Sequence, residues 1–246
     1  KAWAPYIGGL AVIGIIYGAL GCLAQTDMKR LIAFSSVAHM GFVMLGISTL
    51  TSFGMTAAMF GMVAHGLITG MLFFVAGSVK DRYHTLEIAR LSGLLKQVPH
   101  LAWILGFCVM ASLGLPGLAG FWGEFPAILS AYSPMAGLSE VTFRVYMVIA
   151  AMGTVLAAAY LLWLFQRIAF GEPKPEFGGS TSDAHGHHDH SDHDDAHHND
   201  IHDVTVYEWV AWTPLLIGIV LFGVMPNLLF KLIDPAVAAI VTQIGG

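Results

Sequence analysis

The sequence has few charged residues and only two cysteines. Asp, Glu, Lys and Arg make up 11% of its 246 residues, while 56% are hydrophobic, against about 25% charged residues in a typical soluble domain. So few charges cannot cover so much apolar surface, which argues against a soluble globular enzyme and a nucleic-acid-binding protein. Cys22 and Cys108 each lie in an apolar run, which excludes a disulfide scaffold and predicts two buried thiols.

Several motifs of catalysis are also absent. The sequence contains no phosphate-binding glycine loop, no dinucleotide fingerprint, no nucleophile elbow and no cysteine cluster for an iron–sulfur centre. We therefore expect transport rather than redox or hydrolytic chemistry. The chain starts Lys-Ala-Trp without a methionine or a signal peptide, so we expect it to be a fragment that lacks an upstream part.

Long runs without charge predict membrane-spanning helices. About 20 apolar residues cross a bilayer as a helix, and runs of this length are too long for barrel strands. We predict an all-α polytopic transmembrane bundle of about six crossings, near 4–24, 31–50, 54–79, 99–132, 142–168 and 209–230. The predicted domains are an antiporter-like transmembrane region (1–170), a disordered loop (171–207), and a last span with a short tail (208–246).

The basic residues predict the orientation. Eight fall on the side where odd-numbered crossings end and three on the other, which by the positive-inside rule makes the first side cytoplasmic. We expect a multi-pass protein of the inner (plasma) membrane, in contact with lipid.

The fourth predicted crossing is interrupted. Its 34 residues would form about 51 Å of helix, too long for one straight span. The sequence Leu113-Gly-Leu-Pro-Gly117 stands in its middle, where proline removes a backbone donor and glycine relaxes the chain. We predict a discontinuous helix, a feature that marks ion sites in transporters; the alternative is a simple proline kink.

Three ionisable residues lie well inside predicted spans, away from their ends: His39, His65 and Glu124. Ser35 lies one turn from His39, and Thr69 one turn from His65. Such groups are costly in a bilayer and usually mark ion or proton paths, and histidine titrates in the range a proton relay needs. We predict that these three residues relay protons; the alternative is that each histidine is a neutral core residue with a satisfied hydrogen bond.

Charged clusters flank the predicted cytoplasmic ends of the spans. Lys29 stands in one cluster, while Arg82 and His84 stand in another. Anchoring of the helices by snorkelling side chains explains both clusters. The functional alternative is a cytoplasmic mouth for protons, for which we single out His84 and Lys29.

Eight of the twelve histidines lie between residues 183 and 203. This Asp- and His-rich segment is predicted to be a solvated cytoplasmic loop. A weak alternative is metal binding by His185, His187, His188 and His190, although their spacing fits no structural zinc site.

Four segments resemble a known family. They are the run from Gln25 to Phe42, the segments Ala64-His65-Gly66-Leu67 and Asp81-Arg82-x-His84-Thr85, and the run from Leu115 to Phe125. In order and approximate spacing they are similar to the antiporter-like membrane subunits of proton-pumping NADH–quinone oxidoreductase, respiratory complex I. The M-type branch carries a glutamate on its broken helix where the L and N types carry lysine, and Glu124 matches it.

The resemblance implies a proton-translocating subunit of an enzyme complex. It places His39 and His65 on a central hydrophilic axis and Glu124 in the outlet half-channel. No cofactor is expected in this chain; flavin, iron–sulfur clusters and quinone are expected in partner membrane and redox subunits. The family's first half-channel is missing here. The alternatives are a D-type subunit of a multi-subunit Na⁺/H⁺ antiporter, a membrane-bound hydrogenase module, and a purely structural scaffold.

Overall fold

The fold is all-helical in a computed structural model that describes residues 1–178 and 201–245. Within these ranges the helices are α1 (Ala4–Leu23), α2 (Met28–Ser48), α3 (Ser52–Tyr83), α4 (Leu94–Gln97), α5 (Pro99–Ser112), α6 (Ala119–Ser130), α7 (Glu140–Ala169), α8 (Val206–Val224) and α9 (Asn227–Gly245), with a 3-10 turn at Pro175–Phe177. Five of them, α1, α2, α3, α7 and α8, are long and apolar enough to cross a membrane. The predicted all-α polytopic bundle is confirmed.

Side-chain caps determine where the crossing helices begin. The Thr51 hydroxyl accepts the Gly54 N–H at 3.0 Å at the start of α3. At the start of α8, Thr205 and Glu208 form a reciprocal capping box. These side chains satisfy N–H groups that have no partner within the first helical turn, so the helix starts follow from the local sequence.

The fourth crossing is broken, as predicted. Helix α5 ends at Ser112 and α6 begins at Ala119. Gly114 and Gly117 adopt φ values of +69° and +96°, a conformation that glycine reaches without the penalty of a Cβ. With 14 and 12 residues, the two halves measure about 21 and 18 Å, so neither alone crosses a bilayer.

The last predicted crossing is shorter than expected. Helix α8 ends at Val224, not near residue 230, because Pro226 disfavours helical geometry at Met225. The expected short tail forms a further helix, α9. It buries Leu229, Ile233 and Val237 in the core, so the tail is part of the bundle.

The α1–α2 turn and the segment after α3 are joined at the predicted cytoplasmic end. Met28 N–H donates to the Leu86 carbonyl at 2.9 Å, and Ile88 N–H donates to the Thr26 carbonyl at 2.8 Å. This antiparallel bridge places the two charged clusters of the sequence at the same end of the bundle.

Asp203 caps α5 from a distant part of the chain. Its carboxylate accepts the backbone N–H of His100 at 2.9 Å and that of Leu101 at 3.1 Å, together with the His100 imidazole Nδ1 at 2.7 Å. Partial burial acts to raise the pKa of Asp203, but these bonds and one from the Val204 N–H outweigh it and lower the pKa from its ordinary 3.8. The cap therefore binds best as a carboxylate.

We expect Asp203→Ala to destabilise the protein by about 1 kcal/mol at neutral pH, the usual value of an N-cap. Because the Asp203 carboxyl has a lower pKa in the folded state than in the unfolded state, it stabilises the fold at pH values above its unfolded pKa. This contribution is lost as the pH falls through the folded-state pKa. The difference in melting temperature between wild type and variant should therefore shrink below about pH 4. Asp81→Ala, an exposed change, is the control; a difference that grows on acidification would contradict the role of the carboxylate.

Candidate functional site

His39 and Glu124 meet in the interior of the bundle. The His39 Nδ1 lies 2.5 Å from the Glu124 Oε1, and the two side chains are 5% and 15% exposed. His39 comes from α2 and Glu124 from the second half of the broken helix. A Cβ on Gly114 would lie 3.3 Å from the Glu124 Oε2, so the carboxylate also borders the break.

The other imidazole nitrogen of His39 faces two hydroxyl groups. Ser112, the last residue of α5, places its Oγ 3.1 Å from the Nε2. Tyr160 of α7 places its hydroxyl oxygen 3.5 Å from the same atom, at the outer limit of a hydrogen bond. Side chains from three other helices thus contact His39, and both of its nitrogens have polar partners.

His65 stands beside this group. Its ring centroid is 5.7 Å from that of His39, and its Nδ1 lies 3.2 Å from the Thr69 hydroxyl, the neighbour that the sequence predicts one turn away. A cavity of about 20 Å³ lies between the two imidazoles, Ser112 and Glu124, which is room for about one water molecule. One water there would bridge groups that do not touch directly.

Lys29 and His84 lie apart from this cluster. His84 is the C-cap of α3, is exposed and adopts a φ of +53°. It follows His65 by 19 residues, about 28 Å along a helix. Lys29 is exposed in the first turn of α2. Both lie at the predicted cytoplasmic end, and their role as a proton mouth stays a prediction.

The metal site considered for His185, His187, His188 and His190 lies outside the described residues. Within 1–178 and 201–245, no group of three or more His, Cys, Asp or Glu side chains could hold a metal ion. The described part of the site is therefore made of proton-exchanging and hydroxyl groups.

The sequence analysis missed two polar partners of His39 and one buried ion pair. Ser112 and Tyr160 stand in apolar helices, where nothing in the local sequence marks them. Arg82 was expected to anchor the helix by snorkelling, but its guanidinium is buried and binds both carboxylate oxygens of Glu208, at 3.0 and 2.7 Å. The capping box around Glu208 is visible in the sequence, but its partner on α3 is not.

Known proteins are similar to this chain in sequence and in fold. The profile of the family described as "NADH:quinone oxidoreductase/Mrp antiporter, TM" matches residues 1–151. The chain belongs to this family. The matched region includes His39, His65, Ser112 and Glu124, so most of the candidate site lies within the family's shared part.

Two individual proteins of known identity are similar to this chain over almost its whole length. NADH-quinone oxidoreductase subunit M of Rhodobacter capsulatus is 40% identical over 232 residues, which is 94% of this chain and 40% of that protein. Among solved structures, respiratory complex I from Thermus thermophilus with bound NADH aligns over 100% of this chain and 46% of the matched chain, with a TM-score of 0.80 and 28% identity.

A second solved structure shares the fold alone. The Mrp complex from Dietzia sp. DQ12-45-1b aligns over 95% of this chain and 47% of the matched chain, with a TM-score of 0.76 and 22% identity. The chain thus spans less than half the length of each of these three proteins.

Proposed function

We propose that this chain is part of an M-type, proton-translocating membrane subunit of NADH–quinone oxidoreductase. In this proposal it is a translocase subunit in the inner membrane, it carries no redox centre, and partner subunits supply flavin, iron–sulfur clusters and quinone. The subunit M relatives support the choice of complex. The contact between His39 and Glu124 beside a broken helix supports proton transfer.

The chemistry follows from the two groups. A carboxylate and an imidazole 2.5 Å apart share a strong hydrogen bond, through which one proton passes with little movement of heavy atoms. His65 and a water in the intervening cavity extend the path by a second step. In hydrocarbon, such groups are retained where ions or protons pass. His84 and Lys29 are proposed to take up protons at the cytoplasmic side.

We expect His65→Ala to lower the number of protons pumped per NADH oxidised. This chain's share of pumping should fall about tenfold. Loss of a positioned proton carrier usually costs roughly 100-fold, but the space left by the His65 imidazole admits water, which limits the effect. The measurement is acidification of inverted membrane vesicles that contain the assembled complex, divided by the rate of NADH oxidation. His100→Gln is the control, because His100 is an exposed histidine. An unchanged number of protons pumped per NADH in His65→Ala would contradict the relay and favour a purely structural role for this chain.

The second candidate is a subunit of a multi-subunit Na⁺/H⁺ antiporter. The family description and the likeness to the Mrp complex favour it. The two functions separate in sodium-free vesicles, where NADH-driven acidification persists for the oxidoreductase. An antiporter subunit would instead show proton movement only when a sodium gradient is applied.

A further inference from the structure

An aromatic cavity opens between α3, α6 and α9, at the end of the bundle opposite the predicted cytoplasmic end. Its volume is about 520 Å³, within the range of sites for small molecules. Asp234 of α9 adds a carboxylate to its lining. Phe53 and Phe125 are each 52% exposed, so the cavity is open to the surroundings of the bundle. Its aromatic lining residues are Phe53, Phe121, Trp122, Phe125 and Phe230.

The carboxylate of this cavity lies at the depth of lipid headgroups. Thr56 follows Ser52, the first residue of α3, by about 6 Å along the helix, and its hydroxyl donates to the Asp234 Oδ1 at 3.0 Å. Helix α3 has 32 residues, which measure about 48 Å. Because the hydrocarbon layer is only about 30 Å thick, the first turns of α3 extend into the headgroup layer.

Helix α9 places a cation one turn deeper than this anion. The helix runs antiparallel to the start of α3, since the Phe230 ring lies 5.0 Å from the Phe60 ring while Asp234 contacts Thr56. Lys231 therefore lies nearer the middle of the bilayer than Asp234. Both side chains are exposed, with Cβ atoms about 5–6 Å apart. Within residues 1–178 and 201–245, neither takes part in an ion pair.

The α6 wall of the cavity continues from this charged end toward the break. The Phe125 and Phe121 rings stack with their centroids 5.2 Å apart and an interplanar angle of 10°. Phe121 is the third residue of α6, so the stack leads inward along the bilayer normal. A long apolar chain that enters beside Asp234 would pack along this wall.

We propose that the cavity binds one zwitterionic phospholipid with an ammonium headgroup. In such a lipid the ammonium is outermost, the phosphate lies next and the acyl chains lie inside, which is the order of Asp234, Lys231 and the aromatic wall. The ammonium pairs with the Asp234 carboxylate and lies near the Phe230 ring, one turn away on the same face. An anionic lipid without an amine would instead leave Asp234 without a partner. The binding is independent of proton translocation.

The test uses p-benzoylphenylalanine in place of Phe53 as a photo-crosslinker. The assembled complex is reconstituted in vesicles of equal parts phosphatidylethanolamine and phosphatidylglycerol, irradiated, and its adducts are identified by mass spectrometry. The same probe in place of Val141 is the control, because Val141 is also the second residue of a helix at this end and is 72% exposed. We expect the ratio of ethanolamine to glycerol lipid at position 53 to exceed that at position 141 by about fivefold, the effect of one exposed charge pair.

Two variants separate charge from shape. Asp234→Asn still accepts the Thr56 hydroxyl but carries no charge, so the ratio at position 53 should fall to that at position 141. Lys231→Gln should lower the yield of both lipids without lowering their ratio, because both contain the phosphate. Glu140→Gln, which removes an exposed carboxylate paired with Arg144, should leave the ratio at position 53 unchanged.

Three results would overturn the inference. They are equal ratios at the two probe positions, a ratio that survives Asp234→Asn, and adducts at position 53 with a peptide of a partner subunit, which would show that a protein chain fills the cavity. If Asp234→Asn does not assemble, the comparison of the two probe positions in the unsubstituted background decides.

Discussion

Glu124→Gln should abolish proton pumping through this chain while the complex still assembles and oxidises NADH. Glutamine has the same shape as glutamate and keeps a polar contact with the His39 Nδ1, but it cannot take up a proton. Removal of a positioned proton carrier slows transfer by about 100-fold or more. At that rate, this chain's share of vesicle acidification should fall to the background level.

The measurement compares three quantities in inverted vesicles: complex content, uncoupled NADH oxidation and acidification. Glu140→Gln is the matched control, because Glu140 is an exposed glutamate at the start of α7 that pairs with Arg144. Wild-type pumping per NADH in Glu124→Gln would refute the proton relay. Loss of the complex itself would show a structural role for Glu124 instead.

The main elements of the site are visible in the sequence for a simple physical reason. His39, His65 and Glu124 interrupt runs that otherwise avoid charge, and the cost of burying such groups in a bilayer makes each one conspicuous. The break is equally conspicuous, because two glycines and a proline stand in the middle of a span. The sequence analysis predicts a proton relay of these three residues but not which of them touch; the 2.5 Å contact of His39 with Glu124 is given by the structure.

The partners of His39 were not accessible to the same reasoning. Ser35 lies one turn away, but its hydroxyl donates to the Ile32 carbonyl at 2.7 Å. The actual partners, Ser112 and Tyr160, follow His39 by 73 and 121 residues. Serine and tyrosine are common in membrane helices, and only the packing of α5 and α7 against α2 selects these two.

The remaining difference in fold concerns the charged ends of the helices. Arg82 stands near the end of a long span, where the sequence predicts snorkelling to the interface. It turns inward because Glu208, 126 residues later, enters the bundle at the first turn of α8. A pair of residues so far apart in the sequence produces no local pattern in either helix from which the contact could be predicted.

Arg82→Met should be the most destabilising single change at this end of the bundle. The Arg82 and Glu208 side chains are 4% and 21% exposed, and removal of one partner of a buried pair costs about 3–5 kcal/mol because the other charge stays uncompensated. The double variant Arg82→Met with Glu208→Gln should recover most of this loss. Glutamine removes the charge but still serves the capping box with Thr205.

Thermal release of this chain from the purified complex measures the effect. Arg90→Met is the control, since Arg90 and Glu176 form an exposed pair, 47% and 42% accessible, and exposed pairs contribute little. A double variant as unstable as Arg82→Met would show that Arg82 acts through packing, and not by neutralising Glu208.

Arg82→Met should also weaken pumping, because α8 packs against the interruption between α5 and α6. A Cβ on Gly223 would lie 2.2 Å from the Gly117 carbonyl oxygen, and the Trp122 indole N–H donates to the Gly223 carbonyl at 2.8 Å. The Arg82–Glu208 pair holds the N-terminus of α8 at one end of the bundle, and Gly223 contacts the turn that orients Glu124 near the other end of that helix. In vesicles that retain the complex, Arg82→Met should therefore lower protons pumped per NADH, and the double variant should restore them together with stability.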